Sequence, residues 1–82
     1  MHAILYRDPE APDANDWRAK LVPNRQTWLN NRWFDSPSKA QRAVESIVRG
    51  VVKDLHRPHA SPDSIHFYRL PLTDGSIRVE WS

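Results

Sequence analysis

The chain has no cysteine and only two glycines, Gly50 and Gly75, among its 82 residues. The lack of cysteine excludes disulfide bonds and thiolate metal ligands, and it is typical of proteins from reducing compartments. Two isolated glycines exclude a glycine-rich loop for binding phosphate groups. A domain of this length buries only about 60% of its unfolded surface. The four tryptophans must therefore provide much of the packing.

Long apolar runs are also missing. No stretch approaches the roughly 18 apolar residues that a membrane span requires. The opening residues, MHAILYRDPE, lack the basic start and the apolar run of a signal peptide. We therefore expect a single domain over residues 1–82 that is soluble, is located in the cytoplasm and does not bind membranes.

The charges are distributed unevenly along the chain. Residues 17–57 hold nine Lys and Arg against three Asp and Glu, a net charge of +6 in a chain whose formal charge is +2. The preceding loop is acidic, and its carboxylates are Asp8, Glu10, Asp13 and Asp16. A short acidic loop most often only offsets neighbouring charge.

A long amphipathic helix is the clearest feature of the pattern. Ser36 is placed to cap it, Pro37 suits its first position, and Pro58 predicts an end near His56. Gly50 lies inside the helix and suggests a close approach of the backbone to the sheet. The apolar face predicted at 100° per residue is Ala40, Ala43, Val44, Ile47, Val48, Val51, Val52 and Leu55. Arg42, Glu45, Arg49, Lys53 and His56 fall opposite, where such a stripe is usually the solvated side.

The last segment, SIHFYRLPLTDGSIRVEWS, predicts a β-hairpin closed by Asp74-Gly75 in a type I′ turn. A two-residue loop places Tyr68 opposite Trp81, and it pairs Leu70 with Val79 and Leu72 with Ile77 on one apolar side. Arg69 then faces Glu80 on the other side. Pro71 has no N–H to donate, which indicates an edge strand or an interruption.

HAILYR at residues 2–7 is predicted as a strand, and a central hairpin is predicted from WRAKLV and TWLNNRWF. An odd loop around Pro23 would align Leu21 with Leu29 and Trp17 with Trp33 on the core side. The outer face would then carry Arg18, Lys20, Trp28, Asn30 and Arg32. An alternative register has a tight turn at Asn30-Asn31 and pairs Trp28 with Trp33. The predicted fold is α+β, an antiparallel sheet of four or five strands with one helix on a face, in the order β-β-β-α-β-β.

Two resemblances bear on function. The strings W17-R-A-K-L, T27-W-L-N-N-R-W-F-D-S and P37-S-K-A-Q-R-A resemble the strand-strand-helix of AP2-type and integrase arm-type DNA-binding domains. That resemblance implies contacts from Arg18, Lys20, Trp28 and Arg32 in the major groove. In size and layout, the chain is also similar to small phage-encoded inhibitors of host machines, including anti-CRISPR proteins.

Residues that could carry chemistry are few. His56 and His59, with Asp63 and His66 nearby, have the ligand types of a zinc site, but the first pair straddles a helix end and Pro58. A nuclease site built from His66, Tyr68, Arg69 and Arg78 would need general acid-base groups on one face, whereas the predicted register divides them between two. We therefore expect no enzymatic activity, no metal and no cofactor.

The sequence thus favours a binding protein. We expect it to dock on a host protein or ribonucleoprotein complex as an inhibitor, with an anti-CRISPR protein as the concrete form, because exposed aromatic and arginine residues dominate protein interfaces. An uncovered sheet edge could add a strand of the partner. The alternative is binding to double-stranded DNA through the basic block. The candidate binding residues are Arg18, Lys20, Trp28, Asn30, Arg32, Arg42, Arg49 and Lys53.

Overall fold

A computed structural model of the chain describes residues 1–23, 27–54 and 65–82, with residues 51–54 described by their backbone only. It is an α+β fold, as predicted. Four antiparallel strands form one sheet in the order β2-β1-β4-β3. The strands are β1 (His2–Arg7), β2 (Trp17–Val22), β3 (Phe67–Pro71) and β4 (Ile77–Trp81), and the helix α1 spans Pro37–Asp54.

The core lies between α1 and one face of the sheet. Alternate residues of the strands point into it, including Leu5 and Val79, which are fully buried. The helix contributes Val44, also fully buried, and two alanines, Ala40 and Ala43. These alanines let the helix lie close over β1 and β2. Since Ala40, Ala43 and Val44 were predicted on the apolar face from the 3.6-residue period, their burial confirms the amphipathic assignment of the helix.

The start of the helix is also confirmed. The Ser36 hydroxyl accepts a hydrogen bond from the Lys39 N–H at 3.3 Å, and the Ser36 carbonyl accepts one from the Ala40 N–H at 3.2 Å. This satisfies one of the N–H groups that a helix start leaves without a partner. The helix extends to Asp54. His56, near which its end was predicted, lies outside the described residues, as do Leu55 and the side chains of Val51 and Val52.

The predicted central hairpin is wrong. Residues 27–34 do not form a strand, because Trp28–Asn31 make one turn of 3-10 helix. The Thr27 hydroxyl starts this turn by accepting from the Leu29 N–H at 3.2 Å, and asparagines in sequence favour such local turns over strand pairing. Phe34 pairs with β2 through an isolated bridge to Trp17. The element order is therefore β-β-α-β-β among the described residues, and β2 pairs with β1.

The C-terminal hairpin forms, but its register differs from the predicted one by one residue. Trp81 pairs with Phe67, and Val79 with Arg69. The loop has three residues, because the Leu72 N–H donates to the Ser76 carbonyl at 2.9 Å. Gly75 has a φ of 90° and occupies the last position of the loop, where a three-residue hairpin loop requires a positive φ. Because strand side chains alternate, this shift moves every β3 side chain to the other face.

Gly50 also differs from expectation. A Cβ atom placed on it would have no atom within 4 Å among the described neighbours. The close backbone approach predicted at this position is therefore not present in the described structure.

Candidate protein-binding surface

The sheet face opposite α1 is called here the open face. Trp33 and the Asn30 carbonyl of the 3-10 turn contact it at Arg18 of β2. The strand registers place three rows of side chains across it. The middle row runs from Lys20 through Ile4 and Arg78 to Leu70. The rows on either side are Val22, His2, Glu80 and Tyr68, and Arg18, Tyr6, Ser76 and Leu72. The face therefore mixes apolar, aromatic and cationic groups.

Three large apolar side chains line the β3 side of the open face. Tyr68 is 52% exposed, Leu70 is 46% exposed and Leu72 is 39% exposed. They occupy successive outward positions, and we call them the apolar strip. The predicted register had placed these three residues in the core. Sequence reasoning missed the strip because the apolar period of two was assigned to the wrong face, and the Asp74–Ser76 interaction was the signal that could have corrected it.

That interaction sets the loop. The Asp74 carboxylate accepts hydrogen bonds from the Ser76 N–H, at 2.9 Å, and from the Ser76 hydroxyl. The hydroxyl is the larger cause and the N–H the next in holding the pKa of Asp74 below its ordinary value. An aspartate bonded to the backbone two residues on is a turn-forming device, so the sequence Asp-Gly-Ser favours the three-residue loop here.

No other described strand pairs with the outer edge of β3. His66 and Ser82 exchange both backbone hydrogen bonds at 3.1 Å, so the even-numbered residues of β3 bond to β4. The N–H and C=O groups of Phe67 and Arg69 consequently point away from β4. Pro71 also faces outward and has no N–H. Among the described strands, β3 pairs with β4 alone.

Arg18 does not lie free on an outer sheet face, although it was predicted as a contact residue. Its guanidinium is 3.3 Å from the Asp8 carboxylate, donates to the Asn30 carbonyl and lies 4.8 Å from the ring centroid of Trp33. Trp33, predicted in the core, thus covers Arg18. Asp16 similarly lies 3.6 Å from Arg7. The acidic loop therefore offsets neighbouring charge, as its composition indicated.

The other candidate residues are spread over three places. Lys20 is exposed on the open face, with its ammonium 5.4 Å from the ring centroid of Tyr6. Trp28 begins the 3-10 turn and is 47% exposed. Arg32 follows the turn, with its guanidinium 5.7 Å from the ring centroid of Trp28. Arg42, Arg49 and Lys53 belong to the helix, where the side chain of Lys53 is outside the described part. The predicted set thus does not share one face.

The described residues contain no group of three or more His, Asp or Glu side chains that could hold a metal ion. His56, His59 and Asp63 of the considered zinc site lie outside them. A depression of about 600 Å³ adjoins the open face, next to Tyr6, Lys20 and the Asp74–Ser76 turn. No helix in the described part of the chain is long and apolar enough to cross a membrane.

Within the described residues, the surface thus consists of an apolar strip beside an unpaired sheet edge, with cations on either side. This arrangement suits association with another macromolecule. Comparison of the chain with protein-family models, with curated proteins and with solved structures finds no match.

Proposed function

We propose that this protein is a non-enzymatic binding module that docks on a larger protein or ribonucleoprotein assembly through the apolar strip. The observation that carries the proposal is the exposure of Tyr68 and Leu70 on the edge strand β3 and of Leu72 just after its end. Contiguous exposed apolar side chains mark interaction sites in small proteins. In its most specific form, the module is an inhibitor of a host machine, such as an anti-CRISPR protein, a form supported by size and layout alone.

A pull-down from bacterial lysate tests the proposal. The tagged protein should retain a protein partner after nuclease treatment. Leu70→Asp should release that partner, since it places a charge in the centre of the strip without touching the core. Ala14→Asp is the matched control, because it adds the same acidic side chain in place of an uncharged, exposed residue outside the strip. A partner lost on nuclease treatment, or kept by Leu70→Asp, contradicts the proposal.

The second candidate is binding to double-stranded DNA. It is supported by Arg42 and Lys20, exposed cations that form no ion pair within the described part of the chain. Arg18 and Arg49 give weaker support to DNA binding, because the carboxylates of Asp8 and Glu45 lie 3.3 Å and 3.2 Å from their guanidinium groups. Duplex binding measured against salt decides between the two: log affinity should fall by about 0.9 per log unit of salt for each phosphate neutralised. Salt-insensitive or undetectable binding excludes the DNA function.

A further inference from the structure

We propose that the outer edge of β3 binds an extended partner segment in which apolar and acidic residues alternate. The inference rests on the proposed function and names the mode of docking and the chemistry of the partner. Added strands gain affinity from main-chain hydrogen bonds and specificity from alternate side chains. Both kinds of contact can be derived from the residues along β3.

The backbone contacts come from Phe67 and Arg69. Their N–H and C=O groups point outward, away from β4, as the exchange of hydrogen bonds between His66 and Ser82 establishes. Pro71, the next outward-facing residue, provides no hydrogen-bond donor at the outer edge, because it has no N–H. The edge therefore offers a short, defined pairing site centred on these two residues.

The side chains on the open face require apolar neighbours. Residues of an added strand alternate between faces in step with β3. Those on the open face would lie beside Tyr68 and Leu70, whose side chains are about half exposed at 52% and 46%. Apolar residues at these positions would bury the strip and remove it from water.

The side chains on the helix side require acidic neighbours. Arg69 is exposed on that face and donates to the Gln41 side chain and, at 3.5 Å, to the Ser38 hydroxyl of α1. The Arg49 guanidinium lies 5.1 Å from the ring centroid of Phe67. Arg42 belongs to the same helix stripe, four residues after Ser38 and three before Glu45.

Positive charge dominates this side. Within the described part of the chain, neither Arg42 nor Arg69 forms an ion pair, and Glu45 is the acidic partner of Arg49. Opposite charges on neighbouring strands stabilise pairing, whereas like charges oppose it. A second copy of the chain fits this edge poorly, because two-fold pairing centred on Arg69 would bring two arginines together. The charges favour an acidic partner segment.

Capped peptides of about eight residues, an ordinary strand length, provide the test. One alternates valine and glutamate, and the control alternates valine and lysine. Nuclear magnetic resonance of the labelled protein should show the glutamate peptide shifting the amides of Phe67 and Arg69 and slowing their hydrogen exchange. The amides of Tyr68 and Leu70, already bonded to β4, should keep their protection. The lysine peptide should bind more weakly.

Two further comparisons distinguish strand addition from simple charge attraction. The valines and the glutamates of the peptide are N-methylated in separate variants, since only one alternate set of N–H groups faces β3. Methylation of the set that faces β3 should abolish binding, whereas methylation of the other set should leave the affinity largely unchanged. Arg69→Glu should weaken the glutamate peptide by at least about threefold, as a cross-strand charge reversal does. Arg7→Glu, the same substitution at an exposed residue of β1, should leave its affinity unchanged.

The possible outcomes separate this inference from the proposed function. Equal binding of both peptides, equal effects of the two methylations, shifts away from β3 or self-association through this edge overturns the inference. A partner captured from lysate that is lost in Leu70→Asp but kept in Arg69→Glu supports docking and overturns the acidic strand. Specific binding of the glutamate peptide without any captured protein supports the edge site and counts against the proposed function.

Discussion

Arg18 stacks on Trp33, with its guanidinium 4.8 Å from the ring centroid. Because the same guanidinium reaches Asp8 and the Asn30 carbonyl, it connects β2 to the acidic loop before it and to the 3-10 turn after it. The side chain of Arg18 is only 24% exposed. Its role in the fold is therefore structural.

Arg18→Ala should lower the free energy of unfolding by about 2 kcal/mol, since charge-assisted hydrogen bonds in partly buried sites contribute about that much. Lys20→Ala, at the next exposed position of the same strand, should change it by less than about 0.5 kcal/mol. Urea denaturation of both variants measures the difference. Equal stability of the two variants would show that the Arg18 contacts contribute nothing.

Trp81→Ala should cost about 2 kcal/mol. Trp81 lies on the core side, 6.1 Å from Phe67 between ring centroids, but it is only half-buried, so the loss is below the roughly 3–5 kcal/mol of a fully buried tryptophan. Tyr68→Ala is the control, because Tyr68 belongs to the open face. The register derived from the sequence would give Tyr68 a large effect, so chemical denaturation of this pair also tests the observed register.

Gly50→Ala should stabilise the protein by about 1 kcal/mol, because alanine has the higher helix propensity and restricts the unfolded chain. No described atom lies within 4 Å of the added Cβ. Thermal unfolding measures the change. Ser46→Ala, on the exposed side of the same helix, gives a reference for propensity alone. A lower melting temperature for Gly50→Ala than for the parent chain would contradict the open surroundings of this glycine.

Asp74 should make stability depend on acid pH. Its pKa is lowered in the folded chain, chiefly by the Ser76 hydroxyl and then by the Ser76 N–H. A carboxylate of this kind stabilises the fold above its unfolded pKa and loses that contribution as pH falls through the folded pKa. Asp74→Asn should therefore flatten the decline of stability below about pH 4, the unfolded range of aspartate. Glu10→Gln, in the exposed loop, is the matched control for denaturation at each pH.

Trp28→Ala and Arg32→Ala test the remaining part of the predicted binding set. If this pair contributes a second anchor, each change should weaken partner binding by about 1 kcal/mol or more, as interface hot spots do. Both residues are exposed, so unfolding by urea should change little. Calorimetry with the captured partner measures the change in binding affinity. Unaltered affinity in both variants would restrict the interface to the β3 side.

The elements that could be predicted from the sequence are those with a long regular period. The helix from Pro37 has cap, period and apolar face in agreement, and β1 and β2 have the alternation of half-buried strands. The strand prediction for residues 27–34 was wrong because a run rich in tryptophan, leucine and phenylalanine suggests a strand. A local hydrogen bond from Leu29 to Thr27 instead starts a turn, and Leu29 reaches the core from that turn.

The binding surface was less predictable than the fold. One residue in the length of the Thr73–Gly75 loop decides whether Tyr68, Leu70 and Leu72 are core or surface, and the period of two cannot distinguish the faces. Which cations remain available also depends on long-range neighbours. Arg18 and Asp8 are ten residues apart in sequence, and their 3.3 Å contact follows from the pairing of β1 with β2.

Pro71 has a consequence for how copies of this protein behave at high concentration. An edge strand with exposed apolar side chains can recruit further copies and grow into fibres. Pro71 lies at the end of β3, and at the outer edge it supplies no N–H. Backbone pairing with a further copy would therefore be limited to Phe67 and Arg69. The proline therefore protects the chain against self-propagating aggregation while it leaves room for one short strand.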